Sequence, residues 1–271
     1  MITITDKEFK QLAEYIKKNY GINLKDEKKV LVSGRLQQVL IQEGCSNFTK
    51  YLDYVTSDKS GAAVITMLDK ITTNHTFFMR EADHFDCFKG KVLPYLKNRI
   101  PDKDMRIWCA ASSTGEEAYT LAMLIDEFLG GEKIFWDTKI LATDISENVL
   151  NQAVKGVYSN EKIDPLPLHW RQNYFQRYND ENWIVKEKIK NEVIFRKFNL
   201  IQQIYPFKKK FHVIFCRNVM IYFDQDTKNE LVKRLYDQLE IGGYLFIGHS
   251  ESIDRLLCNF QYVMPSVYKK K

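Results

Sequence analysis

Residues 105–119, MRIWCAASSTGEEAY, constrain the fold of this chain more than any other stretch. Met105 to Ala110 make a short apolar run of strand type, Ala111 to Gly115 a turn of small residues, and Glu116 and Glu117 open a helical pattern. A strand that ends in a tight turn and a helix N-terminus belongs to an open α/β sheet, where ligands sit outside the carboxyl ends of the strands. Small residues in such a turn let the backbone come close to a cofactor. Two carboxylates are out of place in a phosphate cradle and suit a cationic ligand, although acids at a helix N-terminus also favour the dipole on their own account. The cofactor this turn describes is nucleotide-like, positively charged and without a pyrophosphate, which points to S-adenosylmethionine.

A chain of 271 residues makes one large domain or two, at roughly 100 to 200 residues per domain. With 45% hydrophobic and 28% charged residues it can bury a substantial core. The net charge of +5 suits an acidic partner surface and falls far short of the basic stripe of a nucleic-acid binder. Cys45, Cys87, Cys109, Cys216 and Cys258 are scattered and never spaced as C-x-x-C. They suggest neither a disulfide framework nor a zinc site, and reduced thiols imply a cytoplasmic location. No apolar run reaches the roughly 18 residues of a membrane span, and the first residues lack a signal peptide's apolar region.

The front of the chain reads as helices. Thr5 to Glu8 form a capping box ahead of Phe9, Leu12, Ala13 and Ile16, and Gly21 can end that helix. A second helix is expected over 28–43, a third from a cap at Ser46 through Val55, and a fourth over 62–68. The sequence thus predicts an all-helical domain at 1–72, whose Lys28, Lys29 and Arg35 could meet an acidic helix, and an α/β domain at 73–271. Residues 72–81, TTNHTFFMRE, join the two. Asn74 and Thr76 could cap the next helix, expected over 83–97, and Arg80 beside an apolar pair can mark a carboxylate site.

Beyond the organising turn, a strand over 139–143 delivers Asp144 to the place where Rossmann-like folds grip the ribose hydroxyls of their cofactor. Asp144 or Ser146 could instead cap the helix over 147–154. Residues 158–191 change character, and 183–198 reads as a hairpin partly outside the main sheet, ending in Asn199 and Leu200. This inserted hairpin, about 175–198, could recognise a partner through a strand edge. The strand 211–216 is nearly all apolar, as a buried parallel strand should be, and delivers Arg217, Asn218 and Tyr222 to the same edge. A strand at 244–247 ends in Gly248 to Glu251, and the chain closes with an edge hairpin near 260–268.

Four strings, in chain order TTNHTFFMRE, CAASSTGEEAYTLAM, FHVIFCRNVMIYFD and FIGHSE, together resemble the bacterial chemotaxis receptor methyltransferases over essentially the whole chain. The resemblance implies a Rossmann-like class I methyltransferase sheet with an inserted antiparallel subdomain. It further implies methyl transfer from S-adenosylmethionine to glutamates of chemoreceptor signalling helices; a monomer is expected, although the sequence leaves the oligomeric state open. By the same matching, Asn74, Thr76 and Arg80 should touch the cofactor or border the transfer site, Glu117 and Asp144 should bind it, and Asn199, Leu200, Arg217 and Asn218 should line its adenosine side. Tyr222 should lie near the transferred methyl, with Arg80 as its partner in catalysis. Three departures stand out: Ala118 follows the two acids in place of proline, Gln37 and Gln38 replace arginines of the second helix, and the loop 177–182 lacks the glycine of peptide-tethering relatives.

Other classes fit less well. A dehydrogenase would need G-x-G-x-x-G in the first loop, where only Gly115 stands. A methyltransferase of nucleic-acid amines would show Pro-Pro and an aromatic where Arg217 to Met220 stand. A non-enzymatic adaptor that binds S-adenosylmethionine and docks on a signalling partner is the competing reading.

Overall fold

The computed structural model of the chain describes residues 2–254 and 257–271. Four helices lead: α1 (Asp6–Tyr20), α2 (Lys29–Gln42), α3 (Phe48–Ser57) and α4 (Ala62–Ile71). Thr5 caps α1 with a complete capping box. Glu8, which closes that box, also accepts hydrogen bonds from Thr49 N at 3.0 Å and Thr49 Oγ1 at 3.2 Å, so one carboxylate ties α1 to α3. Thr5→Ala is expected to cost about 1 kcal/mol, read from the urea midpoint; no change would mean that Glu8 holds the helix end alone. The cap of α3 is Asn47, not Ser46, because its side chain is the one that reaches Lys50 N. Of the second helix's cations, Lys29 pairs with Asp6 at 2.5 Å and Arg35 donates to the carbonyl of Ile71 at 2.9 Å. Two of the three basic groups are therefore engaged within the chain.

Next, α5 (Ala82–Cys87) and α6 (Leu93–Arg99) flank a π-helical turn at Phe88–Val92. Glu81, in the left-handed region at φ 59°, begins α5, so Asn74 and Thr76 cap nothing. The main sheet holds seven strands in the order β6-β2-β1-β7-β8-β10-β9. These are β1 (Ile107–Cys109), β2 (Ile140–Asp144), β6 (Val193–Lys197), β7 (Phe211–Cys216), β8 (Leu239–Ile247), β9 (Phe260–Met264) and β10 (Val267–Lys270). The first five named run parallel, and β10 and β9 are antiparallel at the edge. This is the Rossmann-like class I methyltransferase sheet with a separate small antiparallel sheet of β3 (Val157–Ser159), β5 (Asn182–Val185) and β4 (Phe175–Arg177).

The expected hairpin over 183–198 is corrected here. Val193–Lys197 lies parallel to β2 in the main sheet, and β5 pairs antiparallel with β4 on one side and β3 on the other. Alternating apolar residues look the same in either pairing, and only the long-range register with β2 separates them.

The sheet divides two apolar layers by strand alternation. Ile107 and Cys109 face α5, α6 and α7 (Glu116–Leu129), whereas Trp108 and Ala110 face the front helices and the helix Gln225–Gln238. The Trp108 ring lies within 6 Å of the rings of Phe198, Tyr205, Phe207 and Phe211, and its Nε1 donates to Thr143 Oγ1 at 2.9 Å. The front helices are clamped to the sheet where α1 ends. Asn199 Nδ2 donates to Asn19 O at 2.9 Å, Asn23 N donates to Tyr222 O at 2.8 Å, and Lys17 pairs with Asp224 at 2.6 Å. No helix among the described residues is long and apolar enough to cross a membrane.

Candidate active site

Strand order reverses beside β1, with β2 and β6 on one side and β7 and β8 on the other, and a crevice opens there at the carboxyl ends of the strands. A cavity of about 320 Å³ fills it, within the roughly 300 to 1,000 Å³ usual for small-molecule sites. Asn74, Thr76, Arg80, Glu117, Asp144, Asn199, Leu200, Arg217, Asn218 and Tyr222 all line this one cavity. These ten residues, up to 148 positions apart in sequence, meet there because the crossovers return every strand to the same edge.

The organising turn supplies one wall. Gly115 begins α7 at φ 96°, and a Cβ there would fall 2.9 Å from the Cβ of Ala153, so conformation and space both require glycine. The two acids that follow part company. Glu117 lines the cavity, whereas Glu116 is fully buried behind it, 2.5 Å from Lys162 Nζ and 2.6 Å from Thr114 Oγ1. Adjacent helical positions point about 100° apart, and here that rotation turns Glu117 to the cavity and Glu116 to Lys162.

Asp144 ends β2 and accepts from Ser113 N at 2.9 Å and Ser146 N at 3.0 Å, which links the first two loops. Burial raises its pKa, partly offset by these backbone donors. Ser146, not Asp144, caps α8 (Glu147–Lys155).

Arg217 is the most enclosed charge of the site, its side chain 2% exposed. Nη1 lies 2.7 Å from Glu117 and Nη2 3.0 Å from Glu81, Nη2 also donates to the Arg80 carbonyl, and the guanidinium covers the Phe85 ring at 5.2 Å. Asn218 stands at φ 58° and donates from Nδ2 to Glu81 at 3.0 Å. Glu251 holds the loop after β7 by accepting from Asn218 N at 3.0 Å, Ile221 N at 3.2 Å and Gly248 N at 2.7 Å. Gly248 must be glycine, because a Cβ there would lie 2.9 Å from the backbone nitrogen of Asn218.

The strap 72–80 borders the mouth. Tyr222 hydroxyl accepts from Thr73 N at 3.0 Å and donates to Thr73 O at 3.1 Å, and Arg80 Nη1 donates to His75 O at 2.6 Å. Asn74 touches Asp69 and Thr72 only at 3.5 Å. Sequence reasoning missed Tyr20 and Ile22, which the front helices contribute to the cavity wall, and the exposed rims Phe77 and Ile221. It also missed Glu81, although that residue ends the string TTNHTFFMRE; an acid directly after Arg80 was the one available signal.

Residues 74–268 match the family description "CheR methyltransferase, SAM binding domain", and residues 7–72 match "CheR methyltransferase, all-alpha domain". The chain belongs to the CheR methyltransferase family. It is 43% identical over 272 residues to a chemotaxis protein methyltransferase of Borreliella burgdorferi, covering 99% of this chain and 96% of the relative. To the chemotaxis protein methyltransferase of Escherichia coli it is 35% identical, covering 98% of this chain and 92% of that one. Among solved structures it resembles the glycopeptide N-methyltransferase MtfA complexed with sinefungin, at 12% identity and a TM-score of 0.38, over 64% of this chain and 50% of that one. As a CheR family member the chain carries the S-adenosylmethionine-binding domain on the sheet that forms the cavity.

Proposed function

We propose that this CheR family member transfers a methyl group from S-adenosylmethionine to the side-chain carboxylates of glutamates on chemoreceptor signalling helices, giving glutamyl methyl esters in the cytoplasm. The observation that carries the reading is the meeting of Arg80 and Tyr222 with Glu117 and Asp144 in one crevice whose mouth opens beside the strap. When bound, the cofactor supplies a methyl group already activated by its sulfonium. A glutamate has an ordinary pKa near 4.3, so at neutral pH it arrives as the nucleophile and needs no general base. The protein's task is then alignment, which can be worth roughly 7 to 11 kcal/mol of barrier. Arg80, half-exposed at the mouth, is placed to orient the incoming carboxylate, and it must do so without gripping the ground state too tightly. Tyr222 fixes the strap through both of its bonds to Thr73 and so sets the width of the opening. The front helices, taken as a domain ending at residue 72, would meet the receptor, and the domain from 73 onward would carry the chemistry.

The test incubates the protein with radiolabelled S-adenosylmethionine and receptor-rich membranes. Base-labile label on receptors is expected, and cofactor binding without any transfer would turn the protein into an adaptor. Asp144→Ala is expected to weaken cofactor binding about tenfold by calorimetry, the loss of a charged acceptor for a hydroxyl pair. Unchanged affinity would remove Asp144 from the cofactor site.

A further inference from the structure

Glu117 alone cannot supply the charge that favours a cationic cofactor, because Arg217 sits against it at 2.7 Å. The charged side chains lining the cavity are Arg80 and Arg217, against Glu117 and Asp144, so two positive and two negative groups cancel. The remaining charge lies one layer back. Glu81 is not part of the cavity wall, yet its Oε2 holds the second nitrogen of Arg217 at 3.0 Å. One guanidinium thus stands between two carboxylates.

We infer that Glu81 is a positioning residue which, by sharing the Arg217 guanidinium with Glu117, leaves a net negative charge in the cavity and makes it prefer a positively charged cofactor. Its placement is fixed at both oxygens: Oε1 accepts from Asn218 Nδ2 at 3.0 Å, and Oε2 accepts also from His249 N at 3.2 Å. The left-handed backbone at Glu81, φ 59°, follows another at Met79, φ 60°, so the segment holds two uncommon conformations that bring this carboxylate under Arg217. Burial pushes the Glu81 pKa up, but Asn218 and Arg217 more than reverse this, and the group is ionised at neutral pH. Its other neighbours do not cancel the charge. Burial and Arg217 lower the His84 pKa to about 4, and the His249 ring lies 3.1 Å from Asp83. Glu251, behind Asn218, spends its oxygens on three backbone N–H groups. Glu81, His84 and His249 also bring metal-ligand atoms within 4.8 Å of one another, but an ion there would have to compete with the Arg217 guanidinium already on Glu81.

The inference rests on the cofactor reading above, and the test separates the two. S-adenosylmethionine carries a sulfonium charge that its demethylated product, S-adenosylhomocysteine, lacks, while the rest of the two molecules is shared. Calorimetry with both ligands on the full chain gives their affinity ratio. Glu81→Gln is expected to shift that ratio about tenfold against the charged ligand, the scale of one charge at an effective dielectric near 20. Glu81→Asp, which keeps the charge, is expected to hold the ratio within about twofold even if both ligands bind more weakly. Equal losses for both ligands in Glu81→Gln would overturn the inference and leave Glu81 a purely structural group. If Glu81→Gln fails to fold, Glu81→Met replaces it. Failure of both uncharged variants to fold while Glu81→Asp folds would likewise assign the carboxylate to folding and overturn the inference. If the unaltered chain binds neither ligand, the cofactor reading itself falls.

Discussion

Arg217→Ala is expected to destabilise the protein by about 3 to 5 kcal/mol, the cost of leaving a buried ion pair with one partner missing. The substitution would strand two carboxylates at once, Glu117 at 2.7 Å and Glu81 at 3.0 Å, and would also release the Arg80 carbonyl and uncover the Phe85 ring. The measurement is the urea unfolding midpoint, with circular dichroism as the probe. The loss should be greatest at neutral pH. Glu81 is held below the ordinary carboxylate range in the folded chain, so its pairing stabilises above that range and fades as acid protonates it. The gap between the unaltered and variant chains should therefore narrow as pH falls. A variant within about 1 kcal/mol of the parent at pH 7 would show that water replaces the guanidinium freely and that the site is far more open than its geometry states.

Arg80→Ala is expected to do the opposite, leaving stability near the parent's and lowering methyl transfer about a hundredfold, the cost of misplacing one reacting group. Among the described residues its guanidinium donates to His75 O, and the side chain is partly exposed, so folding loses little. Turnover should be measured at saturating receptor, with a thermal melt on the same sample. Near-normal turnover would take Arg80 out of the reaction and move attention to the Tyr222 clasp on Thr73.

Local chemistry was legible and distant geometry was not. The strand, turn and helix around Gly115 could be read because the apolar run, the small residues and the acids are contiguous. The capping box at Thr5 and the apolar strand β7 were legible for the same reason. Glu116 and Glu117 look equivalent in a string of letters, and only the rotation of α7 separates the cavity acid from the one paired with Lys162. The parallel pairing of β6 with β2 is set by a crossover of some fifty residues, so the strand passed for half of a hairpin. The ten residues carried over by resemblance do meet in one cavity. What they do with one another, above all the sharing of Arg217 between Glu117 and Glu81, had no trace in spacing.

The front helices touch more than a prospective partner. Tyr20 and Ile22 form part of the cavity wall, and Asn23 is bonded to the backbone of Tyr222 at the mouth. A small molecule seated in the crevice would lean on both halves of the chain at once. Its binding energy would then act as glue between them, so an occupied protein should resist peeling of its leading helices better than an empty one.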